Sequence, residues 1–205
     1  MIRKLTQGVI ERLRYYWLVA TPRVYCEGRV IVKGNPIIDV RQGARVDIGD
    51  AVTLNSDNRN YHLALFTQTK LLARNTGAHI AIGAGTRVHG SCIHATKSIE
   101  IGKNCLIAGN CQIFDCSGHS IYDIDQMRET TIETTKPICI GDNVWLGTAC
   151  IVLPGSSIGR GSVVSAGSVV RGIFPEYSLI SGNPAVLVKS LAEGTPAKLS
   201  MLHWP

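Results

Sequence analysis

The stretch ICIGDNVWLGTACIVLPGSSIGRGSVVSAGSVV, residues 138–170, repeats an aliphatic side chain at Ile140, Leu146, Val152, Ile158, Val164 and Val170. A stride of six turns a helical side chain through ~600°, off any single helical face. One long strand is excluded by Pro154 and the recurring glycines, which weaken or end strands. Short strands separated by bends satisfy the pattern. Three six-residue units then close a triangular turn of about 18 residues, with every sixth side chain pointing inward and successive turns stacking about 4.8 Å apart as parallel strands.

Four positions after each inward aliphatic stand Val144, Cys150, Ser156, Ser162 and Ser168, so a second inward slot has little space. The same grammar runs through IGDAVT from Ile48, IGAGTR from Ile82, VHGSCI from Val88, IGKNCL from Ile101, IAGNCQ from Ile107 and IFDCSG from Ile113. The register slips by one residue between Val88 and Ile101, as a corner bulge would allow. Interruptions fall near residues 55–78 and 119–137. The organisation expected is an all-β solenoid with three parts: a helical lead-in at 1–37, coils at 38–183, and a capping helix with tail at 184–205.

With 205 residues, 45% of them hydrophobic and only 6% aromatic, the chain suits one domain with a narrow aliphatic interior. No apolar run reaches the ~20 residues of a membrane span, and the charges in MIRKLTQGVIERLR argue against a secretory leader, so the cytoplasm is the expected compartment. Cys92, Cys105, Cys111 and Cys150 fall in the small inward slot and read as buried thiols, with no CxxC pair to suggest metal or redox chemistry. The net charge of +6 favours anionic partners; the basic residues are scattered and carry no nucleic-acid-binding signature. Ile2, Leu5, Val9, Leu13, Tyr16 and Ala20 mark an amphipathic helix that could cap the first coil, hold a neighbouring subunit or lie on the inner face of a membrane.

Departures from a regular repeat are where chemistry is to be sought. His119 stands where the next inward aliphatic after 101, 107 and 113 was due, at the root of the polar loop GHSIYDIDQMRETTIETTKP. A histidine held there by a rigid coil suits a general base.

GHSIYD, then KPICIGDNVWLGTACIVLPGSSIGRGSVVSAGSVV, then SGNPAVLVK together resemble the hexapeptide-repeat acetyltransferases of the galactoside, maltose and surface-polysaccharide type, over roughly Ile80 to Lys189. The resemblance implies a left-handed parallel β-helix, a homotrimer with active sites between subunits, and acetyl-CoA as co-substrate without a metal. It implies His119 as the base that takes the proton of an acceptor hydroxyl, Trp145 lining the cleft, and a backbone N–H of Gly147 or Thr148 polarising the thioester. Ala166 and Gly167 would bond the pantetheine arm, and Arg171 and Lys189 would meet the phosphates. Val186 replaces the arginine that many relatives carry after NPA, and Gly90, beside Ser91, replaces an acceptor-binding asparagine of the galactoside enzymes. HSIYDID is nearer to capsule and lipopolysaccharide enzymes, sialic acid O-acetyltransferases among them, which makes Ser91, Asp123, Asp125 and Arg128 candidate sugar contacts. Asp115 is a candidate to orient His119.

The function expected is O-acetylation of a sugar hydroxyl on a bacterial surface polysaccharide or its precursor. Alternatives are a sugar N-acetyltransferase acting on an amino-sugar nucleotide, a zinc hydratase using His89, His94 and His119, and a catalytically inert scaffold.

Overall fold

A computed structural model describes residues 2–119 and 135–191. Among these, the chain winds into a three-sided parallel β-helix with one face of seven strands, one of eight and one of six. Ile140 pairs with Ile158, Leu146 with Val164 and Val152 with Val170, eighteen residues apart each time. The six side chains of the opening column, Ile140 to Val170, are all at most 1% exposed, and Val144, Cys150, Ser156, Ser162 and Ser168 fill the slot beside them. Each buried aliphatic contributes about 1.5–3 kcal/mol. The serines are satisfied by backbone groups, as when Ser156 Oγ donates to Leu153 O (2.7 Å) and Ser168 Oγ accepts from Gly182 N (3.1 Å).

The slipped register has a defined outcome. Ser91, not Cys92, takes the small inward slot and is wholly buried, while Cys92 is half-exposed. A one-residue shift in a strand exchanges the two faces, which accounts for the swap. Ile93 still pairs with Ile113. The extra length is absorbed at the corner Thr96–Lys97, whose two N–H groups donate to the two carboxylate oxygens of Asp115 (2.7 Å each).

Both ends of the solenoid differ from the sequence expectation. Coils begin at Val24 rather than 38: strands Val24–Cys26, Ile31–Lys33 and Ile37–Val40 already pair with the next turn. The first coil takes 22 residues, Val24 to Val46 and Val32 to Leu54, so its inward residues miss the six-residue period. The helix α1 (Ile2–Ala20) lies against the first two strands, with Leu18 buried and Tyr15 Oη donating to Gly28 O (3.2 Å). The expected capping helix after Pro184 is instead a strand, Ala185–Ser190, antiparallel to Ser178–Gly182. The run Val186-Leu187-Val188 favours extended backbone, and the added strand covers the last edge of the eight-stranded face.

Candidate active site

The interruption near 55 is a loop that folds back over the eight-stranded face. Asn110, three residues past strand Leu106–Ile107, holds it from both sides: its Oδ1 accepts from Phe66 N (2.8 Å) and its Nδ2 donates to Ala64 O (2.9 Å). Gly109 N donates to Tyr61 Oη (3.1 Å). The loop comes so close that a Cβ at Gly90 would stand 2.8 Å from Thr67 O, and one at Gly109 2.8 Å from Leu65 Cδ2. Gly90 has a φ of +46°, which asparagine tolerates, so it is the approach of the loop that leaves no room here for the asparagine that the resemblance to galactoside enzymes implies.

Between the loop and the sheet runs a groove of about 600 Å³. Arg87, Leu106, Trp145 and Val163 pair in register across four successive turns and form its floor. At the strand spacing this row is about 14 Å long. Ala108, Gly147, Thr148 and Ala166 line the groove along the corner that leads to the six-stranded face. Within the floor Trp145 is 49% exposed and lines the groove.

The Arg87 end is polar. The Tyr61 and His89 rings stack at 4.7 Å and 25°, and His62 tilts against Tyr61 at 4.6 Å. Burial, reinforced by the positive charges of Arg87 and Lys33, holds His89 down at about 4, so its imidazole is neutral at pH 7. Asn55 Oδ1 accepts from Asp57 N (2.9 Å), which turns the Asn55 amide nitrogen toward His89 Nδ1 (3.2 Å). Nδ1 is therefore the acceptor, and His89 presents Nε2–H as a donor. Burial also pushes the Tyr61 phenol up, so it keeps its proton. Tyr61, His62 and His89 with Arg87 thus make a cluster of donors at one end of a mainly apolar channel. Tyr61, His62 and Arg87 carry no motif, and His89 was notable in the sequence only as a possible zinc ligand; His89 and His94 lie on different faces.

Four of the residues marked by the sequence, Trp145, Gly147, Thr148 and Ala166, meet in this groove. Gly147 N is committed to Val164 O (2.8 Å), which leaves Thr148 N, unpaired among the described residues as is Ala166 N, as the donor of the Gly147–Thr148 pair able to face a ligand. Gly167 N is likewise committed, to Thr148 O (2.9 Å). Arg171 and Lys189 are exposed, beyond the last six-stranded-face strand and on the terminal antiparallel strand respectively. Ser91 does not face the groove: its hydroxyl reaches His89 O and Ala108 O inside the corner and accepts from Cys111 N, so it is structural. Asp123, Asp125 and Arg128 lie outside the described residues. Asp115 is fully buried and bonded to the Thr96 and Lys97 amides, a corner cap rather than a partner turned to His119. His119 is exposed at the corner between the six- and seven-stranded faces, so the whole six-stranded face separates it from the groove of its own chain.

The family described as bacterial transferase hexapeptide (six repeats) matches residues 140–172. The chain is a hexapeptide-repeat protein. Its coil is a left-handed parallel β-helix. An Escherichia coli (strain K12) protein named as a lipopolysaccharide biosynthesis O-acetyl transferase, WbbJ, is 40% identical over 103 residues, 47% of this chain and 53% of that one. A Mycobacterium tuberculosis protein named as an acetyltransferase is 31% identical over 185 residues, 87% of this chain and 57% of its own length. The chain thus spans little more than half the length of these curated relatives. Among solved structures, the polysialic acid O-acetyltransferase OatWY shares the fold with a TM-score of 0.61 and 23% identity over 89% of each chain.

In this hexapeptide-repeat protein the groove corner is rigid for a reason visible in the stack. A Cβ on Gly147 would meet Ala166 N at 2.6 Å, so glycine lets successive turns approach closely under the groove. The side chain of Thr148 donates to Gly109 O (2.7 Å), tying the turn to the one before. The turn that carries the Thr148 N–H is thereby fixed in direction.

Proposed function

We propose that this protein is an acetyl-CoA-dependent O-acetyltransferase acting on a sugar hydroxyl of a bacterial surface polysaccharide or its precursor. The observation that carries the reading is the groove itself, in which Trp145, the Thr148 N–H and Ala166 line an extended apolar path with a cluster of donors at its far end. That shape and polarity fit a pantetheine arm running along the stacked turns. The names of the relatives support acetyl transfer, and the WbbJ name supports oxygen as the acceptor atom.

In the proposed reaction His119 takes the proton of the acceptor hydroxyl as its oxygen bonds to the thioester carbonyl carbon. The Thr148 N–H donates to the carbonyl oxygen as negative charge collects there. Collapse breaks the carbon–sulfur bond, and the protonated His119 returns its proton to the departing thiolate. Because His119 lies across a face from its own groove, the reading requires a neighbour's His119 at each groove, as in a homotrimer with sites between subunits. Arg87, Tyr61 and the neutral His89 are the groups suited to an acidic sugar at the polar end, while Arg171 and Lys189 are suited to the nucleotide phosphates.

The test is release of coenzyme A, followed chromatographically, from wild type and His119→Ala against neutral glycans, acidic glycans and amino sugars. A base of this kind is worth about 10²- to 10⁴-fold, so turnover with hydroxyl acceptors should fall by that factor in the variant. Turnover that survives the substitution removes His119 from the mechanism. Turnover confined to amino sugars replaces O- by N-acetylation.

A further inference from the structure

A surface helix normally buries its apolar stripe and shows water its polar one. The helix α1 buries only part of its apolar surface and leaves a second apolar stripe in the open. Leu18 is buried against the first coil, with Tyr15 beside it and Glu11 and Arg14 half-buried on the same side. On the opposite side Val9 is 58% exposed, Leu13 63% and Tyr16 64%, with Trp17 and Ile10 flanking them. At the helical turn of about 100° per residue, positions 9, 13 and 16 share a narrow arc that points away from the protein.

Beside this stripe lies a second feature. A cleft of about 320 Å³ separates α1 from the first coil and is lined by Arg12, Arg29, Tyr15, Tyr16 and the single acid Glu11. Arg12 and Arg29 are both exposed. A basic cleft adjoining an outward apolar stripe with a tyrosine and a tryptophan on it is the arrangement of a helix that rests in a membrane interface. No helix among the described residues is long and apolar enough to cross a membrane, so the contact would be a lying one.

We propose that α1 docks the protein on an anionic lipid surface, with Val9, Leu13, Tyr16 and Trp17 at the acyl boundary and Arg12 and Arg29 on lipid phosphates. Charge decides between this occupant and a second copy of the chain. A second copy carries the same +6 and would bring its own arginines against Arg12 and Arg29, whereas an anionic bilayer complements them.

The experiment is flotation of the purified protein with vesicles of phosphatidylcholine alone and of phosphatidylcholine mixed with phosphatidylglycerol. Binding to the mixed vesicles, weakened by salt, is expected. Leu13→Asp should reduce partitioning about tenfold to a hundredfold, the worth of one buried leucine, with an unchanged melting temperature because the side chain is exposed. Arg12→Gln and Arg29→Gln should each cost about fivefold, and they give an independent reading should Leu13→Asp melt early. Failure to bind the anionic vesicles, or binding indifferent to these substitutions, overturns the proposal. So does a sedimentation coefficient that drops in Leu13→Asp, which would make the stripe a contact between copies. None of these readouts depends on acetyl transfer.

Discussion

Asp115→Asn is the substitution that best separates a structural from a catalytic account of the corner before His119. Asp115 is 0% exposed, and its two oxygens each accept a backbone N–H, from Thr96 and Lys97, at 2.7 Å. Asparagine keeps the shape and one acceptor but turns an amide N–H₂ toward the second backbone donor. The loss of one charge-assisted bond costs about 1.5–3 kcal/mol, and a buried donor left unpaired adds about 1–3 kcal/mol. A total of about 4 kcal/mol is the centre of that range, which for a chain of this size lowers the melting temperature by about 8–16 °C. Calorimetry measures that shift, and hydrogen exchange should locate it at the Thr96 and Lys97 amides. Activity should fall as well, because the corner carries His119 four residues on, but in proportion to lost corner order and with KM for acetyl-CoA unchanged. A variant that melts with the wild type and yet loses turnover would refute this reasoning, since Asp115 would then be acting on His119 rather than on the corner.

Three further outcomes are expected. His89 titrates at about 4 when folded and near 6.5 when unfolded, so it has no effect on stability above pH 6.5. As the pH falls from 6.5 to about 4, the unfolded chain takes up a proton that the folded chain refuses, and stability is lost; for a half-buried ring the loss is about 1 kcal/mol after discounting for solvent screening. The offset in melting temperature between wild type and His89→Gln should therefore be constant above pH 6.5 and move against wild type as the pH falls toward 4; parallel curves over that range would contradict the assignment. Gly147→Ala places a Cβ 2.6 Å from Ala166 N and 2.9 Å from Val164 O, overpacking worth about 1–3 kcal/mol; a lower melting temperature and weaker coenzyme A binding, by calorimetry, are the measurable results. Among the seven cysteines, Cys139 is exposed while Cys105, Cys111, Cys116 and Cys150 are buried, so an aromatic disulfide reagent should label Cys139 fastest and Cys139→Ser should remove that phase. Burial and the neighbouring Glu100 push the Cys139 thiol up, so even this reaction should speed up as pH rises.

The coils were legible because an inward position is a strong constraint repeated at fixed intervals. Ile140, Leu146, Val152 and their successors can be nothing but aliphatic inside a narrow prism, and all of them are buried. Where the constraint is applied once, the sequence is silent or misleading. The first coil is 22 residues long rather than eighteen, so its inward residues Val24 and Val32 fall off the period, and the single slipped residue sent Ser91 inside and Cys92 out. Pro184 followed by aliphatic residues reads equally as a cap or as a strand until the open edge of Ser178–Gly182 is there to be paired.

The same distinction explains the candidate site. Outward positions are free of the period, so the repeat says which residues can face a ligand but not which do. Trp145, Thr148 and Ala166 could be picked out only through their resemblance to known enzymes, and the fold then brought them into one groove. The polar end could not be read even that way. It depends on contacts between Tyr61 and Gly109, and between Phe66 and Asn110, more than forty residues apart in the chain. Gly90 and Gly109, ordinary corner residues in the repeat, are the positions where absent side chains admit that loop. The part of the groove suited to choosing an acceptor is thus built by the interruption and the glycines that receive it, while the regular turns supply the long floor. Exchanging the loop 56–69 between relatives should therefore change which acceptor is taken and leave acetyl-CoA binding intact, an outcome that competition among glycans in a coenzyme A release assay would reveal.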